Sequence, residues 1–188
     1  ADFNNDGFKD IMFLRNQLRS VIYQNRGVAE PGAFDDVTTV NLVNEPDNRS
    51  SWHTFWNGLV ADFNQDGYAD VVIGAHFYDS GETNEGRVFV YLGSPNGLAK
   101  TPVWTAESNQ VGANFGKSVA CAGDVNKDGY ADILVGAPNF DNGQNNEGRA
   151  FLFLGTNMGL TQSPAWTGES NQADANYGNS VAFAGDIN

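Results

Sequence analysis

Short apolar runs, bounded by Gly, Asn and Asp, recur along most of this chain. In its last third, residues 118–122 and 133–135 flank an Asp-rich segment, and residues 149–154 and 165–169 follow. Because apolar runs punctuated by turn residues are typical of short strands, each run is predicted as a strand. No stretch repeats apolar residues at a spacing of about 3.6 over the length of a helix, so the pattern predicts an all-β fold.

The whole pattern repeats. Residues 62–123 align with residues 124–185 without a gap, and 35 of the 62 aligned pairs are identical. A more divergent copy covers residues 1–61, and residues 186–188 begin a further one. Four short strands in about 60 residues match one blade of a β-propeller. We therefore predict blades of four antiparallel strands, about three of them, and expect an arc of a larger propeller because closed propellers have about four to eight blades.

One motif, D-x-N-x-D-G-[FY]-x-D, occurs in each of the three copies. Its side-chain oxygens at positions 1, 3, 5 and 9, with the main-chain carbonyl at position 7, form the all-oxygen ligand set that Ca²⁺ takes. About three structural Ca²⁺ ions are expected. The predicted ligands are Asp2, Asn4, Asp6, Phe8 and Asp10 in the first loop, Asp62, Asn64, Asp66, Tyr68 and Asp70 in the second loop, and Asp124, Asn126, Asp128, Tyr130 and Asp132 in the third loop.

The motif fits an EF-hand, a zinc site or a magnesium site less well. An EF-hand needs Glu at position 12, where this chain has Phe13, Ile73 and Val135 within apolar runs. The loops contain no His or Cys for zinc, and Mg²⁺ prefers a smaller, rigid ligand set. Asp and Asn are also ordinary turn residues, but three copies with identical spacing favour a metal site.

Charge narrows the function classes. The chain has 23 acidic and 10 basic residues, a net charge of −13, which excludes the basic footprint of a nucleic-acid binder. Ten of the acids belong to the three loops and to the start of the fourth copy, and three Ca²⁺ ions would reduce the net charge to −7. No apolar run reaches the roughly 18 residues of a membrane span. A single cysteine, Cys121, forms no intrachain disulfide and is interpreted as an apolar packing residue.

No residue is predicted to be catalytic, and we expect no enzymatic activity, because His53 and His76 fall in no recognisable triad. Trp104 and Trp166 recur at the same repeat position, which favours packing between blades. The aromatic segment 51–56 has no later counterpart; it either stacks on a sugar ring or fills a junction between unlike blades. The acidic loops 79–85 and 141–147 are interpreted as exposed turns, with binding of a partner or a further cation as the alternative. Residue Asn48 begins a glycosylation sequon.

Two short motifs around the third loop carry a family resemblance. They are Asn114-Phe115-Gly116 and Gly136-Ala137-Pro138, with partial copies at Tyr177-Gly178 and Gly74-Ala75-His76. The chain thereby resembles FG-GAP repeats, the calcium-loop blades of integrin alpha-chain propellers and of many bacterial surface proteins. The first copy departs from the pattern, with Leu14-Arg15-Asn16 in place of Gly-Ala-Pro. The resemblance implies that each calcium loop lies in a hairpin on one face, where the metal braces it, and that partners bind other loops.

The expected function is a calcium-stabilised extracellular β-propeller segment that serves adhesion, recognition or assembly on a cell-surface or secreted protein. Weak calcium sites fill outside cells, where calcium is abundant, so an extracellular location is expected. One alternative is the non-catalytic propeller domain of a secreted enzyme, such as a carbohydrate-active hydrolase or lyase. Another is a structural subunit of a surface layer or filament. Expected partners are a protein or glycan ligand, further blades of the same chain or other copies of it, and no nucleic acid.

Overall fold

The computed structural model describes residues 57–185 and, before them, the backbone of three short strands. These are β1 (Ile11–Phe13), β2 (Val21–Asn25) and β3 (Phe34–Asp36), which pair antiparallel in the order β1-β2-β3. The first predicted metal loop, Asn48, the aromatic segment 51–56 and residues 186–188 lie outside the described residues.

Two four-stranded antiparallel sheets follow. The middle sheet has the order β4-β5-β6-β7, with strands β4 (Asn57–Ala61), β5 (Asp70–Ala75), β6 (Arg87–Tyr91) and β7 (Trp104–Glu107). The last sheet pairs in the order β8-β9-β10-β13, with strands β8 (Ser118–Gly123), β9 (Asp132–Ala137), β10 (Arg149–Phe153) and β13 (Trp166–Glu169). Between β10 and β13, a small hairpin pairs β11 (Gly155–Thr156) with β12 (Gly159–Leu160).

The described residues contain no helix, and both complete sheets are meanders of four strands. The predicted all-β fold with four-stranded blades is therefore confirmed. No helix among residues 57–185 and the three earlier strands is long and apolar enough to cross a membrane.

The sheets and the sequence repeat are out of phase by one strand. The hydrogen-bonded sheets run from residue 57 to 107 and from residue 118 to 169, whereas the repeat copies begin at Asp62 and Asp124. The copy at residues 62–123 therefore begins just after the first strand of the middle sheet and ends with β8, the first strand of the last sheet. One sequence copy thus supplies strands to two sheets.

The main core lies between the middle and last sheets. Trp104 is in the last strand of the middle sheet, and its ring meets that of Phe153 in β10 edge-on at 5.0 Å. Phe115 lies in the segment that leads out of the middle sheet, and its ring meets that of Phe151 in β10 edge-on at 5.2 Å.

All six residues of β5 are buried. Since successive side chains of a strand point to opposite faces, the middle sheet is covered on both sides, which explains the continuous apolar run at residues 71–73. The free Cys121 packs half-buried against this core, in agreement with its interpretation as a packing residue.

Candidate metal loops and the contacts around them

The second and third predicted metal loops occupy equivalent places in the two complete sheets. Residues 62–69 connect β4 to β5, and residues 124–131 connect β8 to β9. Both connections belong to antiparallel hairpins, as the family resemblance implies. The pairing differs in one detail, because a register shift between Cys121 and Gly123 interrupts the β8–β9 ladder while β4–β5 pairs regularly.

Side-chain oxygens of the second loop turn inward onto its own backbone. Asp62 accepts the amide N–H groups of Asp66 at 3.2 Å and of Gly67 at 3.0 Å. Asn64 Nδ2 donates to Asp66 at 2.9 Å, and Asp66 also accepts the N–H of Tyr68 at 2.9 Å. These bonds gather the oxygens of positions 1, 3 and 5 on the inner side of one tight turn.

The third loop repeats the same bonds. Asp124 accepts the N–H groups of Asp128 and Gly129 at 3.0 and 2.8 Å. Asp128 accepts Asn126 Nδ2 at 2.8 Å and the N–H of Tyr130 at 2.9 Å. The equal spacing of the motif therefore produces equal loop geometry.

Two positions of each loop have left-handed backbone. The glycine at position 6 has φ +90° in Gly67 and +97° in Gly129, as the motif predicts. Position 4 is also left-handed, with φ +58° in Gln65 and +61° in Lys127. The motif does not predict this second reversal, because neither Gln nor Lys is a typical left-handed residue.

The position-9 aspartates anchor each loop to the neighbouring turn. Asp70 is fully buried and accepts the N–H of Phe63 and of Gly93, both at 2.8 Å. Burial raises the pKa of Asp70 to about 6, against the effect of these two backbone bonds, and the Asp66 and Asp62 carboxylates raise it further. A cation among these three carboxylates would relieve their mutual repulsion.

Asp132 has the same role in the third loop. It is fully buried and accepts the N–H of Val125 at 2.8 Å and of Gly155 at 2.7 Å. Gly93 and Gly155 each follow the third strand of their sheet. The position-9 carboxylate thus ties the metal loop to a second connection at the same end of the sheet.

The donor chemistry of both loops fits a hard cation. The predicted side-chain ligands offer oxygen atoms, and a carboxylate oxygen has more than one acceptor site, so it can bind a cation beside a loop amide. In residues 57–185, however, no group of three or more His, Cys, Asp or Glu side chains is arranged so as to hold a metal ion. The ligand assignments in the second and third loops therefore stay predictions.

Paired glycines explain the other two motifs. A Cβ atom on Gly74 would overlap the carbonyl oxygen of Gly116, and a Cβ on Gly136 would overlap that of Gly178. Gly116 also donates its N–H to Gly136 at 3.0 Å. Gly116 therefore lies between Gly74 of the middle sheet and Gly136 of the last sheet, where there is room for backbone but not for a side chain. The motif marks these glycines, but it does not predict the contact between them.

The loops at the other end of the sheets are only partly as predicted. Residues 80–83 and 141–145 are exposed turns. The same prediction is wrong for Glu85 and Glu147, which are buried at 1% and 0% exposure. Glu85 accepts the N–H of Ser80 at 2.6 Å, so it caps its own loop from within, and burial raises its pKa. A carboxylate satisfied by backbone amides can be buried, which composition alone does not reveal.

The recurring tryptophans have different environments. Trp104 is 3% exposed, which confirms packing between sheets, whereas Trp166 is 49% exposed.

The polar tract that follows Trp104, residues 107–110, also links the sheets. The Gln110 side chain donates to Asp141 O at 2.9 Å and accepts from Asp141 N at 2.6 Å. In the same tract, Ser108 Oγ accepts the N–H of Gln110 at 3.3 Å, a bond typical of a turn that begins at serine.

Comparison with known proteins agrees with this geometry. A family model described as FG-GAP repeat matches residues 54–91 and 115–153. Integrin alpha pat-2 of Caenorhabditis briggsae is 31% identical over 159 residues, which cover 76% of this chain and 13% of that protein. Human integrin alpha-7 is 38% identical over 108 residues, covering 56% of this chain and 9% of that protein. Mouse integrin alpha-IIb is 35% identical over 113 residues, with coverages of 56% and 11%. The chain thus spans only a small part of the length of these relatives.

Proposed function

The chain carries FG-GAP repeats of the integrin alpha type, and on this premise we propose that it is a calcium-stabilised propeller segment of an extracellular adhesion or recognition protein. The observation that supports the metal most directly is the second loop. Asp62 and Asp66 both accept amide N–H groups of one tight turn, and the buried Asp70 accepts the N–H of Phe63 from the same loop. Two unit charges about 4 Å apart repel by roughly 4 kcal/mol at an effective dielectric of 20.

The proposed cation is Ca²⁺, held in each loop by the oxygens of positions 1, 3, 5 and 9 and the carbonyl of position 7. When bound, it neutralises the carboxylates and fixes the hairpin. The residues of the chain do the rest: Asp70 and Asp132 tie each loop to the turn that contains Gly93 or Gly155. Calcium would therefore stabilise two connections of a sheet rather than one.

An extracellular location follows from the same proposal. Extracellular calcium modules bind at about 10⁻⁴ to 10⁻³ M, a range that is filled where calcium is abundant. At ten times its dissociation constant, each site adds about 1.4 kcal/mol to the free energy of unfolding. A few such sites form a large share of a typical stability of about 5–15 kcal/mol.

We propose that the partner is a protein or glycan that binds the loops at the end of the sheets opposite the metal loops, and that the chain itself catalyses no reaction. The exposed turns 80–83 and 141–145 lie at that end, and they contain none of the predicted metal ligands. Binding of the chain to immobilised matrix proteins and glycans, before and after substitutions confined to these turns, tests this part of the proposal.

The metal is tested by thermal unfolding in 5- to 10-fold excess calcium over the dissociation constant and in EGTA. Calcium is expected to raise the melting temperature, and Asp66→Asn with Asp128→Asn is expected to remove most of the difference. A matched variant, Asp174→Asn, removes an exposed acid outside the loops and should keep it. A melting temperature that is the same in EGTA and in calcium would refute the proposal.

A further inference from the structure

The second and third metal loops contact each other directly. The carbonyl oxygen of Phe63 accepts the N–H of Ala131 at 3.2 Å. The side chain of Gln65 donates from Nε2 to the carbonyl oxygen of Gly129. Both bonds join loops that lie more than 60 positions apart in sequence, and neither involves a predicted side-chain ligand.

The bonded atoms of the third loop flank its predicted main-chain ligand. The N–H of Ala131 and the carbonyl of Tyr130 belong to one peptide group, which is planar. Fixing the N–H therefore fixes the direction of the carbonyl that is expected at position 7. The bond from Gln65 holds the preceding carbonyl, that of Gly129, so two successive peptide groups are restrained from the second loop.

The bonded atoms of the second loop also lead back to a ligand. Phe63 is fully buried, and its own N–H donates to the position-9 carboxylate of Asp70 at 2.8 Å. Its backbone thus connects a predicted ligand of the second loop with the ligand-bearing peptide of the third. Phe63 is packed in the core, and close-packed interiors transmit strain. A shift of Asp70 toward a cation is therefore expected to move the Phe63 backbone and, with it, the hydrogen bond to Ala131.

We propose that Phe63 and Gln65 are positioning residues for the third loop, so that calcium in the second loop raises the affinity of the third. This inference rests on the proposed function, since it needs both loops to bind metal. The coupling is reciprocal, so the third loop equally favours the second. A roughly 5-fold effect is expected, at the low end of the usual range, because two hydrogen bonds carry it.

Lys127 provides a matched control. It occupies the same loop position as Gln65 and has nearly the same backbone, with φ values of +61° and +58°. An alanine at either site therefore carries a similar backbone strain. Gln65→Ala removes a bond to the next loop, whereas Lys127→Ala removes a positive charge beside the third loop. The first is expected to weaken calcium binding by the third loop, and the second to leave it unchanged or slightly tighter.

The experiment is a calcium titration of the ¹⁵N-labelled chain, in which the amide signals of Gly67 and Gly129 report the second and third loops separately. Asp66→Asn disables the second loop. It is expected to raise the calcium concentration at the Gly129 midpoint about 5-fold, and Gln65→Ala is expected to remove most of that dependence.

The outcomes separate the two proposals. If both amides respond but the Gly129 midpoint is the same in the parent chain and in Asp66→Asn, the loops bind independently and the coupling is refuted. If neither amide responds at about 10 mM calcium, ten times the weak end of the extracellular range, the calcium proposal itself fails. If Lys127→Ala raises the calcium concentration at the Gly129 midpoint as much as Gln65→Ala does, the effect is a general one of altering this loop position. That result would overturn the role of Gln65.

Discussion

The indole N–H of Trp104 donates to the carbonyl oxygen of Thr161 at 3.0 Å. This bond joins the last strand of the middle sheet to the connection that follows the β11–β12 hairpin in the last sheet. The ring itself is buried edge-on against Phe153 at 5.0 Å. One side chain therefore fills the core between two sheets and keeps its indole N–H hydrogen-bonded, so the ring is buried without an unsatisfied donor.

The two recurring tryptophans predict unequal effects on stability. Trp104→Ala should lower the free energy of unfolding by about 3–5 kcal/mol, because it opens a cavity and leaves the Thr161 carbonyl without this donor. Trp166→Ala should cost about 1 kcal/mol or less, because its ring is half exposed. Urea unfolding followed by circular dichroism measures both. Equal losses for the two variants would contradict the interface described for Trp104.

A second prediction concerns the paired glycines. Gly136→Ala should destabilise the chain by about 3 kcal/mol or more, since the new methyl group would overlap the Gly178 carbonyl and the hydroxyl of Ser118. Gly143 is the matched control. It has φ +111° with nothing within 4 Å of its Cβ position, so Gly143→Ala costs only the backbone strain, roughly 1–2 kcal/mol. Thermal unfolding of the two variants distinguishes crowding from strain, and similar losses would argue against the crowding.

The repeat explains how much of this architecture the sequence could predict. Identical spacing of Asp, Asn and Gly produces identical loops, so one copy serves as a template for the other, and the four strands of each blade follow from the apolar runs. The difference between Trp104 and Trp166 could not be predicted, since it depends on what packs against each sheet rather than on the local sequence. The buried Glu85 was missed for a related reason, because its burial depends on two amides of its own loop.

The metal loops show the same division. Glycine at position 6 follows from the backbone reversal, but the contact from Gln65 to Gly129 needs the two hairpins to be neighbours in space. The motif also treats Asp70 and Asp132 as ligands like the others. The structure gives them two further bonds each, to backbone amides at both sides, which a spacing pattern does not contain.

A third prediction concerns the pH dependence of stability through Glu169. Hydrogen bonds from Arg149, and then from Asn142, lower the pKa of this carboxyl below its usual range. A group with a lowered folded-state pKa stabilises the fold above its ordinary pKa, near 4.3, and loses that contribution as the pH falls through the folded value.

Glu169→Gln is therefore expected to lower the melting temperature at pH 7 and to have less effect as the pH falls below about 4. Asn142 donates to both carboxylate oxygens, at 2.9 and 3.0 Å, so Asn142→Ala should give a smaller change with the same pH profile. Melting curves from pH 3 to pH 7 test this. A difference from the parent chain that stays constant over the range would contradict it.

The fourth prediction separates the structural role of position 9 from metal binding. Asp132 is fully buried, and each of its two oxygens accepts a backbone N–H, from Val125 and from Gly155. Asparagine offers only one acceptor oxygen, so Asp132→Asn leaves one of these two amides facing a donor. We expect a loss of about 1–3 kcal/mol even in EGTA.

Asp124, at position 1 of the same loop, is the control for this prediction because it is exposed. Asp124→Asn should cost less than about 1 kcal/mol in EGTA, since water can replace its bonds. In calcium both variants should lose stability relative to the parent chain. Denaturant unfolding in the two buffers provides the four values, and equal losses for both variants in EGTA would show that the position-9 carboxylate has no anchoring role of its own.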